Sequence, residues 1–456
     1  MMHHFVINLL PLFFVLIAAV PLLYVNRGRS LVFIFIIIVV SHLNIFPAIN
    51  QLLYFLPDSK FQLSQLIVIV FFEIPLFLML STRVKEVKDH TPLQLVQKLP
   101  VYPPVLLLIL LFIFWIVAIL YDLFMARMYY QQFLIDPNAV PFILLYPYRL
   151  VVDSSFFVIL YLIFALRFSH SSEKNRFIYK AALALYLGTF LAFFLLNSRM
   201  QFITLLICIY FVRPLYVMPR INLSKIFFGG VILGLLVLFT TLLRELYIEN
   251  NNRLDDGDAL GLFYGVLSMV VSRLDSLVML DRLLEVGYNP FEMQLSGLVH
   301  VFNMYTSFFI DQQAYVEIRA SEITSPSVEI VNRLLNVNYV DFPKSMVLDV
   351  QLTFGSLFLP LLAWFLSTLI LFSQKIIITS NKINFRLLFG LFIIPLILQF
   401  GVETIGFISF ILKWSPMLLM ITLLHSFRRL TRKVVAHEST SLQPTAIPPQ
   451  NNCTDV

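Results

Sequence analysis

The sequence is poor in charge and in cysteine. Only 13% of its 456 residues are charged, about half the share found in soluble domains. Its two cysteines, Cys208 in an apolar run and Cys453 in a polar tail, exclude a disulfide framework. The net charge of +6 comes from scattered basic residues, which give no footprint for nucleic acid. The low share of charged residues excludes ordinary water-soluble domains.

Apolar residues are abundant instead, at 59% of the chain. A membrane-spanning helix needs about 20 mostly apolar residues. Eleven such stretches occur, at residues 5–24, 31–50, 63–81, 104–121, 154–166, 177–197, 201–216, 226–243, 355–373, 387–404 and 405–424. The first is longer than a signal-peptide core and has no cleavage site after it, so we expect a retained span. The predicted fold is all-α, a polytopic integral membrane protein with about 11 transmembrane helices.

The basic residues in the short loops predict the orientation. With alternating sides, one set of loops holds 19 Lys and Arg residues and the opposite short loops hold 4. Because basic residues mark the cytoplasmic side, the N-terminus is predicted to be periplasmic and the C-terminus cytoplasmic.

One long segment interrupts this pattern and divides the chain into four parts. Residues 1–243 hold eight spans, 244–354 form a large periplasmic loop, 355–424 hold three spans, and 425–456 form a cytoplasmic tail. The loop carries 15 acidic and 7 basic residues. It is neither low in complexity nor poor in aromatics, so we predict a folded helical cap. The tail lacks periodicity and is predicted to be disordered.

Three arginines on the external side oppose the charge bias. Arg199 lies in a short turn, where it either anchors a helix end by snorkelling or binds an anion. Arg244 ends the eighth span beside Glu245, so a local ion pair competes with an anion site. Arg273 falls in an apolar stripe of a predicted helix over residues 259–284. Either a distant acidic residue or an anionic ligand must neutralise its charge there.

Ionisable residues at membrane depth form a second group of candidates. Glu73 and Lys413 either pair with each other or serve function, and Glu403 lies at the external end of the tenth span, beside the cap. His300 is the single histidine of the cap, so no histidine-based metal site is expected there.

Local motifs resemble those of the Wzy-type O-antigen polymerases, including the polymerase of enterobacterial common antigen. The likeness covers most of the chain in topology, with a large external loop before the last three spans. In sequence it rests on short matches: Ser198-Arg199, Leu243-Arg244, Ser272-Arg273-Leu274-Asp275-Ser276-Leu277, Arg333-Leu334-Leu335-Asn336 and Phe354-Gly355-Ser356-Leu357-Phe358.

The resemblance implies a glycosyltransferase of the bacterial inner membrane that needs no metal or cofactor. It would move a glycan from undecaprenyl pyrophosphate onto a new lipid-linked repeat unit at the periplasmic face. Arg199, Arg244 and Arg273 would bind the pyrophosphate, with Asp275 or Glu403 as the base. Expected partners are the lipid-linked glycan, membrane lipid and a Wzz-type chain-length regulator. Four aromatic residues of the cap would either stack on sugars or pack the loop: Tyr305, Phe308, Phe309 and Tyr315.

Two related functions and one unrelated class remain open at this point. An O-antigen ligase shares the architecture and is expected to use a loop histidine, a role for which His300 is available. A flippase for the same lipid-linked glycan would not be an enzyme, and it has no need for so large an external loop. A transporter or receptor of an unrelated type is the remaining alternative.

Overall fold

The part of the chain that the structure describes is helical. In a computed structural model, the described residues are 2–26, 30–54, 59–84, 173–197, 277–310, 325–337 and 345–379, with single positions at 113, 159, 162, 163, 166, 228, 229, 231, 232, 235, 239, 267, 275, 314, 393 and 397. No strand occurs among them. The helices in chain order are α1 (Met2–Val25), α2 (Ser30–Val40), α3 (Phe46–Tyr54), α4 (Ser59–Val68), α5 (Ile74–Val84), α6 (Glu173–Asn197), α7 (Val278–Glu285), α8 (Ser296–Ile310), α9 (Pro326–Leu335), α10 (Met346–Phe354) and α11 (Leu359–Thr379).

Three of the described helical stretches are long and apolar enough to cross a membrane. They are span A (Leu31–Asn50), span B (Leu63–Ser81) and span C (Ser356–Ile376). Spans A and B have the predicted bounds, and span C begins one residue and ends three residues later than predicted. Helices α1 and α6 cover two further predicted spans. The other six lie mostly outside the described residues, so the number eleven stays a prediction.

Spans A and B each contain one turn of π-helix, at Ser41–Ile45 and Ile69–Glu73. In each span a proline, Pro47 or Pro75, follows two residues after the π-helical turn. A proline has no N–H, and its ring clashes with the carbonyl one turn earlier. Widening the preceding turn relieves that clash without ending the helix, so the prolines explain both π-helical segments.

An apolar stripe faces outward along span B. Leu66, Val70, Ile74 and Leu78 recur at helical spacing and are each about half exposed. On span C, Leu361, Trp364, Phe365 and Phe372 are similarly exposed. Large apolar stripes of this kind suit lipid rather than water. They are compatible with a protein embedded in a membrane.

The three spans pack together with their ends in register. Helix α11 packs against α5 and α2. At one end of the bundle, the backbone N–H of Leu31 donates to Gln374 Oε1 at 3.0 Å. At the other end, α7 packs against α4, so the cap adjoins the end of span A and the beginnings of spans B and C. We call this the cap end of the bundle.

The cap has a small apolar core of its own. Helices α7, α9 and α10 supply it, and Tyr288 joins from the loop after α7. Its buried members are Met279, Leu280, Leu283, Tyr288, Val328, Ile330, Val331, Leu348 and Leu352. This core supports the prediction of a folded, helical cap for the described part of the segment.

Two glycines permit close backbone contacts in the cap. A Cβ at Gly297 in α8 would clash with the carbonyl oxygen of Pro326 at the start of α9. Gly355 has φ +80°, a conformation that favours glycine, and a Cβ there would lie 2.8 Å from the carbonyl oxygen of Phe291. Gly355 therefore sets the junction between α10 and span C.

The predicted continuous helix over residues 259–284 is wrong near its C-terminal end. Residue 267 is helical, but Asp275 has no regular structure, Leu277 lies in a turn, and α7 begins only at Val278. The physical reason is Asp275, whose side chain binds backbone N–H groups further along the chain and so competes with a helix. The helix is therefore not continuous through Asp275, and Arg273 itself lies outside the described residues.

Candidate functional site

Asp275 joins the cap to the end of span A. Asn50 Nδ2 donates a hydrogen bond of 2.8 Å to Asp275 Oδ2, and the two side chains are 7% and 2% exposed. The second oxygen, Asp275 Oδ1, accepts from the backbone N–H of Leu277 at 2.9 Å. Asp275 therefore both precedes α7 with an Asx turn and fixes the cap to span A.

The environment of Asp275 acts on its proton affinity in two opposite ways. Burial raises the pKa of Asp275, and hydrogen bonds from Asn50 and from the backbone N–H groups of Leu277 and Val278 oppose that rise. Burial is the larger effect, so the pKa is raised overall. Both carboxylate oxygens already hold donors. In this arrangement the group is suited to anchoring the cap.

Asn50 has one polar atom without a hydrogen-bond partner among the described residues. Its Oδ1 is buried and accepts no hydrogen bond within the described residues. A buried acceptor that lacks a donor costs about 1–3 kcal/mol. Asn50 Oδ1 belongs to the same side-chain amide whose nitrogen binds Asp275. A hydrogen-bond donor that reached Asn50 Oδ1 would therefore contact the junction between the cap and span A directly.

A second junction connects the cap to span C. The carbonyl oxygen of Pro290 accepts from both the backbone N–H and the Oγ of Ser356, each at 2.8 Å. Nearby, the N–H of Gln294 donates to the carbonyl of Thr353 at 2.8 Å. The loop after α7 is thereby tied to the first residue of span C.

The same loop also reaches span B. The ring of Phe291 meets the ring of Phe71 edge to face, with centroids 5.6 Å apart. Phe71 lies eight residues into span B, about 12 Å along the helix. The loop between α7 and α8 therefore reaches about 12 Å along span B from its beginning at the cap end, and the cap contacts all three spans.

Within the cap, a buried polar cluster joins α9 to α10. Ser325 and Ser327 share a hydrogen bond of 2.8 Å between their Oγ atoms, and Ser325 Oγ donates to Asp349 Oδ1 at 3.4 Å. Tyr288 donates to the carbonyl oxygen of Gln351 at 3.4 Å. Burial, with a smaller contribution from Glu292, raises the pKa of Tyr288 to about 12, so this phenol stays protonated at neutral pH.

Glu73, predicted at membrane depth, is buried between spans A and B. Asn44 Nδ2 donates to Glu73 Oε1, and Gln65 Nε2 donates to Asn44 Oδ1 at 3.2 Å. Glu73 and Asn44 both belong to the π-helical turns. The predicted alternative partner, Lys413, lies outside the described residues.

Of the five predicted site residues, the structure describes Asp275 alone. Arg199, Arg244, Arg273 and Glu403 lie outside the described residues, so their grouping at one site stays a prediction. His300 is half-buried on α8. Tyr305, Phe308 and Phe309 also fall on α8, although their side chains are not among those described, and Tyr315 lies outside.

No set of three or more His, Cys, Asp or Glu side chains suited to a metal occurs among the described residues. The amides Asn44, Asn50 and Gln65 escaped the sequence-based prediction. Their signal was present, since each is a polar amide at the edge of or inside a predicted apolar span.

Comparison of the chain with protein-family models, with curated proteins and with solved structures finds no match.

Proposed function

We propose that this chain is a membrane glycosyltransferase that polymerises oligosaccharide repeat units carried on undecaprenyl pyrophosphate. The observation that carries the proposal is the attachment of the cap to three apolar helices, through Asp275 to span A, through Phe291 to span B and through Pro290 to span C. A cap held there lies where the head group of a lipid-linked substrate would meet a folded protein surface.

The charge pattern supports a periplasmic position for the cap. Arg27 and Arg29 precede span A in the sequence, and the exposed Lys375 lies near the end of span C, where Leu31 meets Gln374. Basic residues favour the cytoplasmic side. The cap end is then the periplasmic face of the bacterial inner membrane, where lipid-linked repeat units would be polymerised.

In the proposed mechanism the arginines bind the pyrophosphate that leaves as the glycosidic bond breaks. Arg199, Arg244 and Arg273 would stabilise its negative charge. Arg273 precedes the anchored Asp275 by two residues, so the contact with Asn50 would fix where Arg273 enters the site. Glu403 or Asp275 would accept the proton from the attacking sugar hydroxyl. For Asp275 this requires exchange of a present hydrogen bond.

A flippase for the same lipid-linked glycan is the second candidate. The observation that favours it is the buried carboxylate of Glu73 inside the bundle, because ionisable groups at this depth often mark transport pathways. A flippase gives no reason for a cap bound to three spans, so polymerisation is the better supported function.

The test is a gel of surface glycolipids from a strain lacking this gene, beside the same strain complemented with the wild-type chain. Loss of the ladder with survival of a band carrying one repeat unit would establish polymerisation, because export and ligation then still work. Loss of every repeat unit would indicate a flippase or a ligase, and an unchanged ladder would contradict all three functions for that glycan.

A further inference from the structure

Helix α8 of the cap has an exposed apolar stripe on its outer side. The stripe consists of apolar residues at helical spacing that are each between 42% and 84% exposed, namely Leu295 just before the helix and Leu298, Val299, Phe302 and Ile310 within it. Among the described side chains of α8, Asn303 is the one exposed polar residue. The other side of α8 packs against α9, so the helix has protein on one side only.

The outer side of α8 also lacks the charged groups found on neighbouring cap helices. The 15 residues of Ser296–Ile310 include no Asp, Glu, Lys or Arg. By contrast, exposed arginines lie on α7 at Arg282 and on α9 at Arg333. A helix face that meets water normally carries polar and charged residues. The stripe on α8 is therefore poorly suited to water.

The hydroxyl group of Thr306 is satisfied without solvent. Thr306 lies one turn after Phe302, and its Oγ1 donates to the carbonyl oxygens of Phe302 and Asn303 at 2.9 and 3.0 Å. Both contacts stay within the helix. Polar groups that face lipid must be satisfied in this way, because lipid offers no hydrogen-bond partner.

The loop that leads into α8 is level with the beginning of span C. The carbonyl oxygen of Pro290 accepts hydrogen bonds from Ser356, the first residue of span C. Gln294, two residues before α8, donates to the carbonyl of Thr353. Helix α8 therefore begins where an apolar helix of membrane-spanning length begins.

Exposed apolar residues connect this level of span C with α8. On span C, Leu357 and Phe358 directly follow Ser356 and are exposed, and on the loop Phe291 and Met293 are exposed. Further along span C lies the apolar stripe that suits lipid. The outer side of α8 thus continues an apolar surface that already belongs to a spanning helix.

Charged groups at the same level fit the head-group region of a bilayer. Glu292 is exposed on the loop, and Arg333 of α9 donates to Gln294 Oε1. Charged side chains beside an apolar surface keep their charged ends in the polar interface. The start of α8 therefore has the composition of a boundary between lipid and water.

We propose that the outer face of α8 lies in the membrane leaflet at the cap end, against the acyl chains of phospholipids. A helix of 15 residues is about 22 Å long, shorter than the hydrocarbon core of roughly 30 Å, so α8 enters the leaflet without crossing the bilayer. Helices of this kind bind through the apolar area that they bury in lipid. The inference goes beyond the proposed polymerase activity, because it concerns how the cap is seated on the bilayer.

The test measures what surrounds a spin label at position 302. The label is attached to Phe302→Cys in the full-length chain, with Cys208→Ala and Cys453→Ser, in nanodiscs made of phospholipid alone. Oxygen concentrates in lipid and a nickel chelate in water, so the ratio of their collision rates with the label reports the surroundings. Leu361→Cys on span C is the lipid reference, and Arg282→Cys on α7 is the water reference. We expect position 302 to give the ratio found at position 361.

Each other result contradicts the proposal. A ratio that matches position 282 means that the stripe meets water. Low collision rates with both reagents mean that another segment of this chain, or a second copy, covers the stripe. Because these nanodiscs contain no lipid-linked glycan, a match to position 361 does not arise from the polyprenyl chain of a substrate.

Photo-crosslinking covers the case in which the cysteine replacements disturb the fold. The photoreactive residue p-benzoylphenylalanine, placed at position 302 of an otherwise wild-type chain in nanodiscs, reacts on illumination with C–H bonds beside it. We expect phospholipid adducts there, as at reference position 361. Crosslinks to protein instead of lipid would overturn the proposal, and so would the absence of an adduct at 302 when 361 reacts.

A charge placed on the stripe gives an independent readout. Phe302→Asp would bring a carboxylate among acyl chains, which is costly, so we expect a lower unfolding temperature in lipid nanodiscs. Asn303→Asp is the matched control, because it adds the same charge to α8 at the exposed polar residue, and it should lower the unfolding temperature less. An unfolding temperature that is unchanged or raised in Phe302→Asp would contradict contact with lipid.

Discussion

Asn50 and Asp275 are separated by 225 positions in the sequence, yet Asn50 Nδ2 donates to Asp275 Oδ2 at 2.8 Å. One residue ends an apolar span and the other precedes the first described helix of the cap. Because both side chains are buried, water does not readily replace this hydrogen bond if one of them is removed. A substitution at either residue is therefore expected to affect the other.

Asn50→Ala should loosen the cap. The substitution leaves Asp275 Oδ2 buried without its donor, at a cost of about 1–3 kcal/mol. We expect faster proteolysis within the cap and a weaker glycolipid ladder, with normal insertion. Asn26→Ala is the control, since Asn26 is also a buried amide, but it follows α1 and donates to the carbonyl of Leu22 in that helix rather than to a cap residue. Equal protease sensitivity of the two variants would contradict an anchoring role for Asn50.

The raised pKa of Asp275 predicts a pH dependence of cap stability. An acid whose pKa is higher in the folded than in the unfolded state binds more protons when folded. Its contribution is therefore fully present below the usual value of 3.8 and falls as pH rises from there through the raised pKa. Unfolding midpoints of the wild type minus those of Asp275→Asn, measured across pH, should fall in this window. A difference that rises with pH would contradict the burial argument.

Gly355→Ala should disrupt the junction of the cap with span C. Gly355 has φ +80°, and the new Cβ would meet the carbonyl oxygen of Phe291 at 2.8 Å. We expect a loss of about 1–3 kcal/mol, measured as a lower unfolding temperature in nanodiscs. Gly188→Ala is the matched control, because nothing lies within 4 Å of a Cβ there and alanine favours a helix. A neutral Gly355→Ala would show that the junction is not tight.

Arg273→Ala should abolish polymer while the protein still inserts. Loss of one group that stabilises transition-state charge costs about 10²–10³-fold in rate, so the ladder should vanish. Arg273→Lys keeps the charge and removes the bidentate geometry. The exposed Arg282→Ala, in the same cap, should leave the ladder intact. A full-length ladder from Arg273→Ala would exclude Arg273 from the mechanism.

Hydropathy located the three described spans well because the signal is local. Spans A and B need about 20 apolar residues between polar ends, and the sequence alone locates both ends. The π-helical turns were not predicted, although Pro47 and Pro75 inside apolar stretches are their physical cause. A proline predicts a disturbed turn, but whether the helix kinks, ends or widens depends on the neighbouring helix.

The site was less predictable, because its contacts join distant parts of the chain. Asp275 was predicted as a candidate base from its motif. In the structure, its carboxylate accepts hydrogen bonds from Asn50 and from the backbone N–H of Leu277, the second of which forms the Asx turn. Helical periodicity also extended the helix over 259–284 through Asp275, since period alone cannot detect a side chain that captures backbone N–H groups. The partners Asn44 and Gln65 were missed because an amide in a span has no predictable partner until the helices are packed.

The contact of Leu31 with Gln374 bears on how the protein is made. These residues are 343 positions apart, and ribosomes add about 5–20 residues per second. Span A therefore resides in the membrane for about 17–70 s before its partner in span C is synthesised. The polar contact of Asn44 with Glu73 joins residues only 29 positions apart. The hairpin of spans A and B can therefore form before span C is synthesised, and span C then packs against an assembled pair of helices.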